Sequence, residues 1–380
     1  MRKLISLLAV VLFAGCNITW NPFPIPTPIP TPVTPTNNPT SDIVVLGDWG
    51  GRPSIAVDKF GGVHIVVDSG GGSTMVWWDI IGSTITGGII DAKSVNPQTS
   101  NIFNPSQVIL DDGTQLVTVW SFAFDDLSGC NPPHVWYRKP GKSWQVLAVP
   151  LFAQDWNNSQ LCKLNGTTVR IFGLQNVYCD LSMSGDTLVI GPYGNYPSGS
   201  RGGGEKEARQ LVNGKMLVAN SGCKQNGGSY IRSETCGGKA VMWASYTTYS
   251  QMGSDDTGHA SVCADGTNST IAYVAANYGG IKYNILNNGQ LSYSADQLET
   301  VDQGWSGFYK YPLSMSSITT GGVYLAYANG GMVEIVRLTT EGCSFVTEFT
   351  GTTPAITTGS DGTIQCAYNN AGKIWYRRVK

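Results

Sequence analysis

Short runs of apolar residues alternate with turn-forming residues along most of the chain, and no helical period persists. The first example is the stretch 52–78, in which residues 54–57, 63–67 and 74–78 are three apolar runs. The segment 58–62 between the first two runs ends in two glycines, which tolerate the positive φ of a tight turn. The pattern therefore predicts three short antiparallel strands.

The same sequence unit occurs seven times along the chain. Each copy opens on a polar residue, usually followed by a small residue or proline and then by a β run. By subtraction the intervals between openings are 52, 53, 50, 52, 52 and 42 residues, and the openings are Arg52, Asn104, Asn157, Glu207, His259, Tyr311 and Thr353. A period of about 40–50 residues with several strands per unit is typical of β-propeller blades. The sequence therefore predicts an all-β fold, a seven-bladed β-propeller of four-stranded blades.

The last repeat ends at Lys380, directly after its third strand. Residues 41–47, just before the first repeat, have a strand pattern. We expect residues 43–46 to pair with residues 374–377 and to supply the missing outer strand. The N-terminal strand would then close the ring and remove two exposed sheet edges.

The N-terminus has the features of an export signal. Met1-Arg2-Lys3 precedes an apolar segment that ends at Gly15 and is too short for a permanent transmembrane helix. The segment 12–16 resembles a bacterial lipoprotein cleavage box with Cys16 as the lipidated residue, and ordinary signal cleavage is the alternative. We therefore expect an exported protein, lipid-anchored at the cell envelope or cell surface.

The domain organisation follows from a change in composition. Residues 1–15 are the predicted lipoprotein-type signal peptide. Residues 16–40 are a linker rich in proline and threonine, which favours extended polyproline II and forms no core. Residues 41–380 are the predicted propeller.

Charge and cysteine content narrow the choice of partners. Charged residues make up 13% of the chain, the formal net charge is −2 and no basic cluster occurs, so nucleic acid is not an expected partner. Contact with a membrane is expected only through the lipid anchor. The sequence specifies no oligomeric state.

Nine cysteines are present, and eight remain when Cys16 is set aside. An even number in an exported chain predicts disulfides, and Cys130 and Cys223 lie where they could staple long loops. The alternative, free buried thiols, suits Cys179 and Cys366 within predicted strands. Because no CxxC pair occurs, we expect no structural zinc, and nothing in the sequence calls for another metal or a cofactor.

Propeller geometry gives the repeat a functional meaning. The first strand of each blade lines the central channel, so the seven opening residues form a ring at one mouth of that channel, here called the mouth ring. Its members, the predicted ligand-binding residues, are Arg52, Asn104, Asn157, Glu207, His259, Tyr311 and Thr353. All are polar, and loops that converge on one face of a β scaffold commonly carry function. The alternative is that strand ends are half-exposed and therefore often polar.

Three segments resemble those of a known family. Residues 51–57 resemble the Arg-Ile-Pro segment that opens the sialidase propeller, residues 207–220 its glutamate segment, and residues 311–327 its Tyr-Ser segment. The chain thus resembles the sialidase-like, Asp-box-type β-propeller superfamily. The resemblance implies that Arg52 binds a carboxylate and, if the protein is an enzyme, that Tyr311 is the nucleophile polarised by Glu207. Asp68 and Asp79 are the candidates for the acid/base.

The chain also departs from that family. Sialidases have six blades, the segment 221–223 carries no second arginine, and His259 stands where a third arginine would be expected. A full three-arginine clamp gives bidentate, charge-assisted recognition of a carboxylate. We therefore expect a protein that binds a glycan or another surface ligand at the channel mouth. The alternatives are an active glycoside hydrolase of the exo-sialidase type and a protein-interaction scaffold.

Overall fold

The regular secondary structure in the described part of the chain is β-strand. The computed structural model describes residues 42–68, 72–92, 101–122, 134–149, 160–172, 177–195, 206–212, 215–220, 230–235, 240–245, 259–267, 269–277, 280–287, 290–295 and 313–379. Within these ranges 28 strands form seven four-stranded sheets, and each sheet corresponds to one predicted repeat. The same ranges contain no helix that is long and apolar enough to cross a membrane. The prediction of an all-β chain is confirmed.

The strands follow one another along the chain, with β1 (Ile43–Gly47) before the first repeat. The first two sheets comprise β2 (Pro53–Val57), β3 (Val63–Asp68), β4 (Thr74–Ile81), β5 (Thr84–Asp91), and β6 (Asn101–Ile109), β7 (Gln115–Phe122), β8 (His134–Arg138), β9 (Gln145–Ala148). The next two comprise β10 (Gln160–Lys163), β11 (Thr168–Phe172), β12 (Val177–Ser184), β13 (Thr187–Asn195), and β14 (Lys206–Val212), β15 (Lys215–Asn220), β16 (Tyr230–Thr235), β17 (Ala240–Ser245). The last three comprise β18 (His259–Ala264), β19 (Thr270–Asn277), β20 (Gly280–Asn287), β21 (Gln290–Ala295); β22 (Ser314–Ser317), β23 (Val323–Asn329), β24 (Met332–Thr339), β25 (Gly342–Thr350); and β26 (Thr352–Thr358), β27 (Ile364–Asn370), β28 (Lys373–Val379).

Aspartate and asparagine side chains build the turns between first and second strands. In the first sheet, Oδ1 of Asp58 accepts hydrogen bonds from the backbone N–H groups of Phe60 and Gly62, both at 2.8 Å. Gly61 between them has a φ of 87°, a left-handed value that glycine adopts without steric cost. In the third sheet, Oδ1 of Asn165 accepts from the N–H of Thr168 at 2.9 Å. The tight turn predicted at residues 58–62 is therefore observed.

The segment before the first repeat belongs to the last sheet. β1 runs antiparallel to β28, with Ile43 opposite Arg377 and Val45 opposite Trp375, and the strand order in this sheet is β1-β28-β27-β26. The predicted pairing of residues 43–46 with residues 374–377 is thus present. Every one of the seven sheets has its fourth strand, and in the last sheet β1 provides it.

Hydrophobic side chains fill the space between consecutive sheets. Between the first and second sheets, Val66 and Met75 pack with Ile102, Val117 and Trp136, all of them buried. Every residue of β3 is buried, which explains why this strand is apolar almost throughout instead of alternating. The first strands also contact one another in succession, β2 with β6 and so on to β22 with β26, and β26 contacts β2.

The cysteines do not support the predicted disulfides. No disulfide joins two of the described cysteines, and Cys179 and Cys366 carry thiols that are fully buried among the side chains of neighbouring sheets. Both lie on inner strands whose side chains face hydrophobic clusters, so the alternative of buried free thiols applies to these two. Burial raises the pKa of Cys179 to about 11. Cys130, Cys223 and Cys16 lie outside the described residues.

Candidate functional site

Two neighbouring members of the predicted mouth ring contact each other directly. Arg52 immediately precedes β2, and Asn104 lies in β6 of the next sheet. Nη1 of Arg52 donates a hydrogen bond of 2.9 Å to Oδ1 of Asn104. Both residues are half-buried. The repeat therefore brings together residues from two different sheets, one directly before β2 and the other in the bulge of β6.

A buried carboxylate fixes the backbone of both residues. Asp68, the last residue of β3, is only 1% exposed. Its Oδ1 accepts a hydrogen bond of 3.1 Å from the backbone N–H of Arg52, and its Oδ2 accepts one of 2.9 Å from the N–H of Asn104. A carboxylate that accepts backbone N–H groups forms short and comparatively strong hydrogen bonds. Asp68 thus ties the residue before β2 to the bulge of β6.

The segment before Arg52 is shaped around the same aspartate. Nε1 of Trp49 donates a hydrogen bond of 2.5 Å to the backbone carbonyl oxygen of Asp68. A Cβ atom at Gly51 would overlap both that carbonyl and the Asp68 carboxylate, so only glycine allows the chain to pass here. We call Trp49, Arg52, Asp68 and Asn104 the Arg52 cluster.

The Arg52 cluster is linked to the last sheet through Asn369. Asn369 is the sixth residue of β27, as Asp68 is the sixth residue of β3, so the two hold equivalent places in their repeats. Nδ2 of Asn369 donates a hydrogen bond of 3.4 Å to the carbonyl oxygen of Trp49. A continuous chain of hydrogen bonds therefore runs from β27 through Trp49 and Asp68 to β6.

Strained backbone flanks Arg52 on both sides. Asn104 has a φ of 50° and Thr353, in β26, a φ of 47°, values that non-glycine residues seldom adopt. Each precedes a proline, a place where the chain is normally extended. Each also lies in a bulge, because the strand register shifts between Phe103 and Ser106 in β6 and between Thr352 and Ala355 in β26. Strain of this kind is concentrated at functional sites.

The remaining members of the mouth ring are described only in part. Glu207 and His259 lie at the starts of β14 and β18, and their side chains are outside the described structure. Asn157 and Tyr311 lie outside the described residues altogether. The structure thus joins Arg52 to Asn104 by a hydrogen bond. It places Thr353 in β26, which is the first strand of the last sheet and also contacts β2.

Asp79 belongs to a different cluster at the other end of the first sheet. Its carboxylate lies 2.9 Å from Nδ1 of His64 and 2.5 Å from Nη2 of Arg138 in the second sheet. The other ring nitrogen of His64, Nε2, lies 3.2 Å from Oδ2 of Asp58. His64 and Asp68 are separated by four positions of β3, or about 13 Å. Asp79 is therefore remote from Arg52.

Neither aspartate suits the acid/base role considered for it. Both carboxylate oxygens of Asp68 accept backbone N–H groups, which favours the ionised form and ties the side chain to a structural task. Asp79 is bound to Arg138, whose guanidinium carbon stacks 3.8 Å from the ring centroid of Trp77 and 4.7 Å from that of Trp144. The structure instead assigns both residues to the joint between the first and second sheets.

Two neighbouring aspartates, Asp79 and Asp58, favour the protonated form of His64. Burial, the largest single influence, lowers the pKa of His64, but hydrogen bonds and charges from Asp79 and Asp58 together raise it above its ordinary value of 6.5. For Arg138 the effect of burial prevails. Its pKa is lowered from the ordinary value, although Asp79 acts to raise it. This cluster joins the first sheet to the second.

Sequence reasoning missed Trp49 and Asn369 and misjudged Asp68. A signal for two of them was present, since Asp68 and Asn369 occupy the same position of their repeats and both are polar at the end of an otherwise apolar strand. Trp49 precedes the first repeat, so no periodicity marks it. Its role follows from the contact of its indole with Asp68, which only the folded chain reveals.

Comparison with known proteins identifies the fold and nothing narrower. No family model matches the chain, and no curated protein matches its sequence. Among solved structures, the chain is similar to the β-propeller domain of Cps50 (Swd1) from Myceliophteria thermophila, with 13% identity over 91% of this chain and 99% of that one and a TM-score of 0.50. It is also similar to AofleA from Arthrobotrys oligospora, with 8% identity over 89% of this chain and 86% of that one and a TM-score of 0.48. Together with the four-stranded antiparallel sheets, the first of these likenesses supports the predicted β-propeller fold.

Proposed function

We propose that the seven sheets are the blades of one propeller, closed by β1, and that it binds a glycan or another surface ligand at the channel mouth around Arg52. The strand order supports the blade count and the closure, since β1 completes the last four-stranded sheet. The contact of β26 with β2, the first strands of the last and first sheets, supports a ring.

The observation that carries the proposal is the hydrogen bond of 2.9 Å between Arg52 and Asn104. A guanidinium presents N–H donors in a rigid planar fork, which suits carboxylates and other oxygen-rich groups. Asn104 orients that fork, and Asp68 fixes the backbone on which it is carried. A group that is already held in place loses little entropy when a ligand binds.

Binding is better supported than hydrolysis. A sialidase-like reaction needs an acid/base near the nucleophile, and both aspartates considered for it are occupied in joining the first two sheets. The predicted nucleophile Tyr311 and its partner Glu207 remain candidates for catalysis only if the protein is an enzyme. A protein-interaction scaffold is the third possibility, because propellers serve many unrelated functions.

The proposal includes export and anchoring. Residues 1–15 would direct export, Cys16 would carry the lipid, and the linker 16–40 would hold the propeller away from the membrane. A Cys16→Ser variant should leave the membrane fraction and appear in the soluble fraction. If this variant stays in the membrane fraction, lipidation at Cys16 is not the anchor.

The proposed site is tested on an array of sialylated, uronic-acid-containing and neutral oligosaccharides, with release of free sugar measured in parallel. We expect the wild-type protein to bind a subset of these glycans, Arg52→Ala to lose that binding, and no sugar to be released. The exposed Arg337→Ala on β24 is the matched control and should bind like the wild type. Sugar release that disappears in Tyr311→Phe would favour the hydrolase, because the nucleophile would be lost. Absence of any glycan binding would favour the scaffold.

A further inference from the structure

The hydroxyl group of Thr353 is buried and makes no hydrogen bond. Within the described part of the chain, its Oγ1 is one of the few buried side-chain polar atoms without a partner. The residue as a whole is half-buried. Burying a hydroxyl without a hydrogen bond costs about 1–3 kcal/mol by protein mutational data.

The backbone conformation of Thr353 makes a second unfavourable contribution to the free energy of folding. A β-branched residue with a φ of 47° is a genuine conformational outlier, and it stands directly before Pro354 in a bulge. Glycine or asparagine would adopt this φ more readily. The protein therefore carries both strain and an unpaired hydroxyl at one position, and nothing described within the chain offsets either.

Asn104, the corresponding residue of the second sheet, shows one use of this backbone conformation. Asn104 has the same left-handed φ, precedes Pro105 and lies in the matching bulge of β6. Its side chain is used, since Oδ1 accepts the hydrogen bond from Arg52. The first strands β6 and β26 both contact β2, so Asn104 and Thr353 lie in the two sheets that adjoin the sheet of Arg52. The Asn104 side chain therefore forms a hydrogen bond within the protein, whereas the hydroxyl of Thr353 forms none.

We propose that Thr353 is a specificity-determining residue of the Arg52 site and that its hydroxyl binds a hydroxyl or carbonyl oxygen of the glycan. The inference rests on the proposed function, and it confines the ligand to the arc formed by the last, first and second sheets. A rotation of about 120° around χ1 exchanges the hydroxyl with another staggered position. Because the hydroxyl makes no hydrogen bond, that rotation breaks none within the protein. The bound ligand then supplies the missing partner.

The test separates a ligand contact from a structural role. Thr353→Val keeps the shape of the side chain and removes the hydroxyl, whereas Thr353→Ser keeps the hydroxyl. Both are compared with wild type on the same glycan array and in urea unfolding. We expect Thr353→Val to weaken binding of the Arg52-dependent glycans by about two- to tenfold, the scale of one hydrogen bond. Its unfolding midpoint should be unchanged or higher, and Thr353→Ser should retain most of the binding. Thr84→Val on the exposed end of β5 is the control and should alter neither property.

Each other outcome has a distinct meaning. If Arg52→Ala loses binding while Thr353→Val keeps it, this inference is wrong and the proposed binding site stands. If Thr353→Val lowers the unfolding midpoint together with binding, the hydroxyl has a structural role and the inference is equally wrong. If Arg52→Ala binds like the wild type, or if the wild type binds no glycan on the array, both the proposed function and this inference are overturned.

Discussion

Nη1 of Arg52 donates a hydrogen bond of 2.9 Å to Oδ1 of Asn104, a residue that follows it by 52 positions. This separation equals one repeat, so the bond joins equivalent positions of consecutive sheets. The contact arises because β2 and β6, the first strands of these two sheets, contact each other. The repeat thereby brings together two polar side chains that lie far apart in the sequence.

Removing the Asp68 carboxylate should destabilise the protein markedly. Asp68→Ala leaves the backbone N–H groups of Arg52 and Asn104 without their acceptor in a buried setting, at a cost of about 1–3 kcal/mol for each group. The free energy of unfolding in urea measures the effect. Asp48→Ala is the matched control, because the Asp48 side chain is 81% exposed and its ion pair with Lys373 should contribute less than about 1 kcal/mol. Equal losses in both variants would contradict the role assigned to Asp68.

The architecture was largely predictable from the sequence, because the signals for it are local. Hairpin turns such as 58–62 are encoded by residues that lie next to one another, and the strands between them by their apolar character. Repetition of these local signals predicted the sheets and their order. The pairing of β1 with β28 could be predicted because the last repeat lacked one strand.

The roles of individual side chains were harder to predict, because they depend on contacts between sheets. Asp79 was considered for catalysis, yet it pairs with Arg138, which lies 59 residues further on. The bulges at Asn104 and Thr353 carry a sequence signal, a polar residue before proline, but that signal alone predicts extended backbone. Only the packing of one sheet on the next imposes the left-handed conformation.

Breaking the ion pair between Asp79 and Arg138 should be among the most damaging single changes between sheets. Their side chains are only 13% and 12% exposed, so Arg138→Met leaves a poorly solvated carboxylate without its partner. Loss of one partner of a buried pair typically costs about 3–5 kcal/mol. Arg378→Met serves as the control, since the pair of Arg378 with Asp361 is about half exposed and screened by solvent, so its loss should lower stability far less. Urea midpoints that fall equally in both variants would refute this assignment.

His64 and His134 should give opposite dependences of stability on pH. The folded-state pKa of His64 is raised above 6.5, so its stabilisation is complete below pH 6.5 and is lost as the pH rises through the folded-state value. Burial lowers the pKa of His134 to about 4, so its contribution is present above pH 6.5 and is lost as the pH falls from 6.5 towards 4.

Urea unfolding over a range of about pH 4.5 to 8.5 tests both signs. Relative to wild type, His64→Gln should lose less stability on the alkaline side, and His134→Gln should lose less on the acidic side. The His134 effect should be on the order of 2 kcal/mol, the scale of its pKa shift. If the pH profile of either variant runs parallel to that of the wild type, the environment inferred for that histidine is wrong.

The thiols of Cys179 and Cys366 should react only after unfolding. Both are 0% exposed, and burial raises the pKa values of both thiols, so the reactive thiolate is scarce at neutral pH. Alkylation without a reducing agent, followed by peptide mass spectrometry, should modify neither residue in the native protein and both in denaturant. If either residue stays unmodified in denaturant until a reductant is added, it takes part in a disulfide.

The affinity of the proposed site around Arg52 for a glycan is the most direct test of the account. Titration calorimetry compares wild type, Arg52→Ala and Arg337→Ala against one glycan that the wild type binds on the array. Truncation of a well-held arginine contact typically costs about 2–5 kcal/mol of binding, so Arg52→Ala should show no detectable binding. Its urea midpoint should stay close to that of the wild type, because Arg52 precedes β2 and its backbone hydrogen bonds to Asp68 do not need the side chain. Unchanged affinity in Arg52→Ala would contradict the account and remove the Arg52 cluster from the binding site.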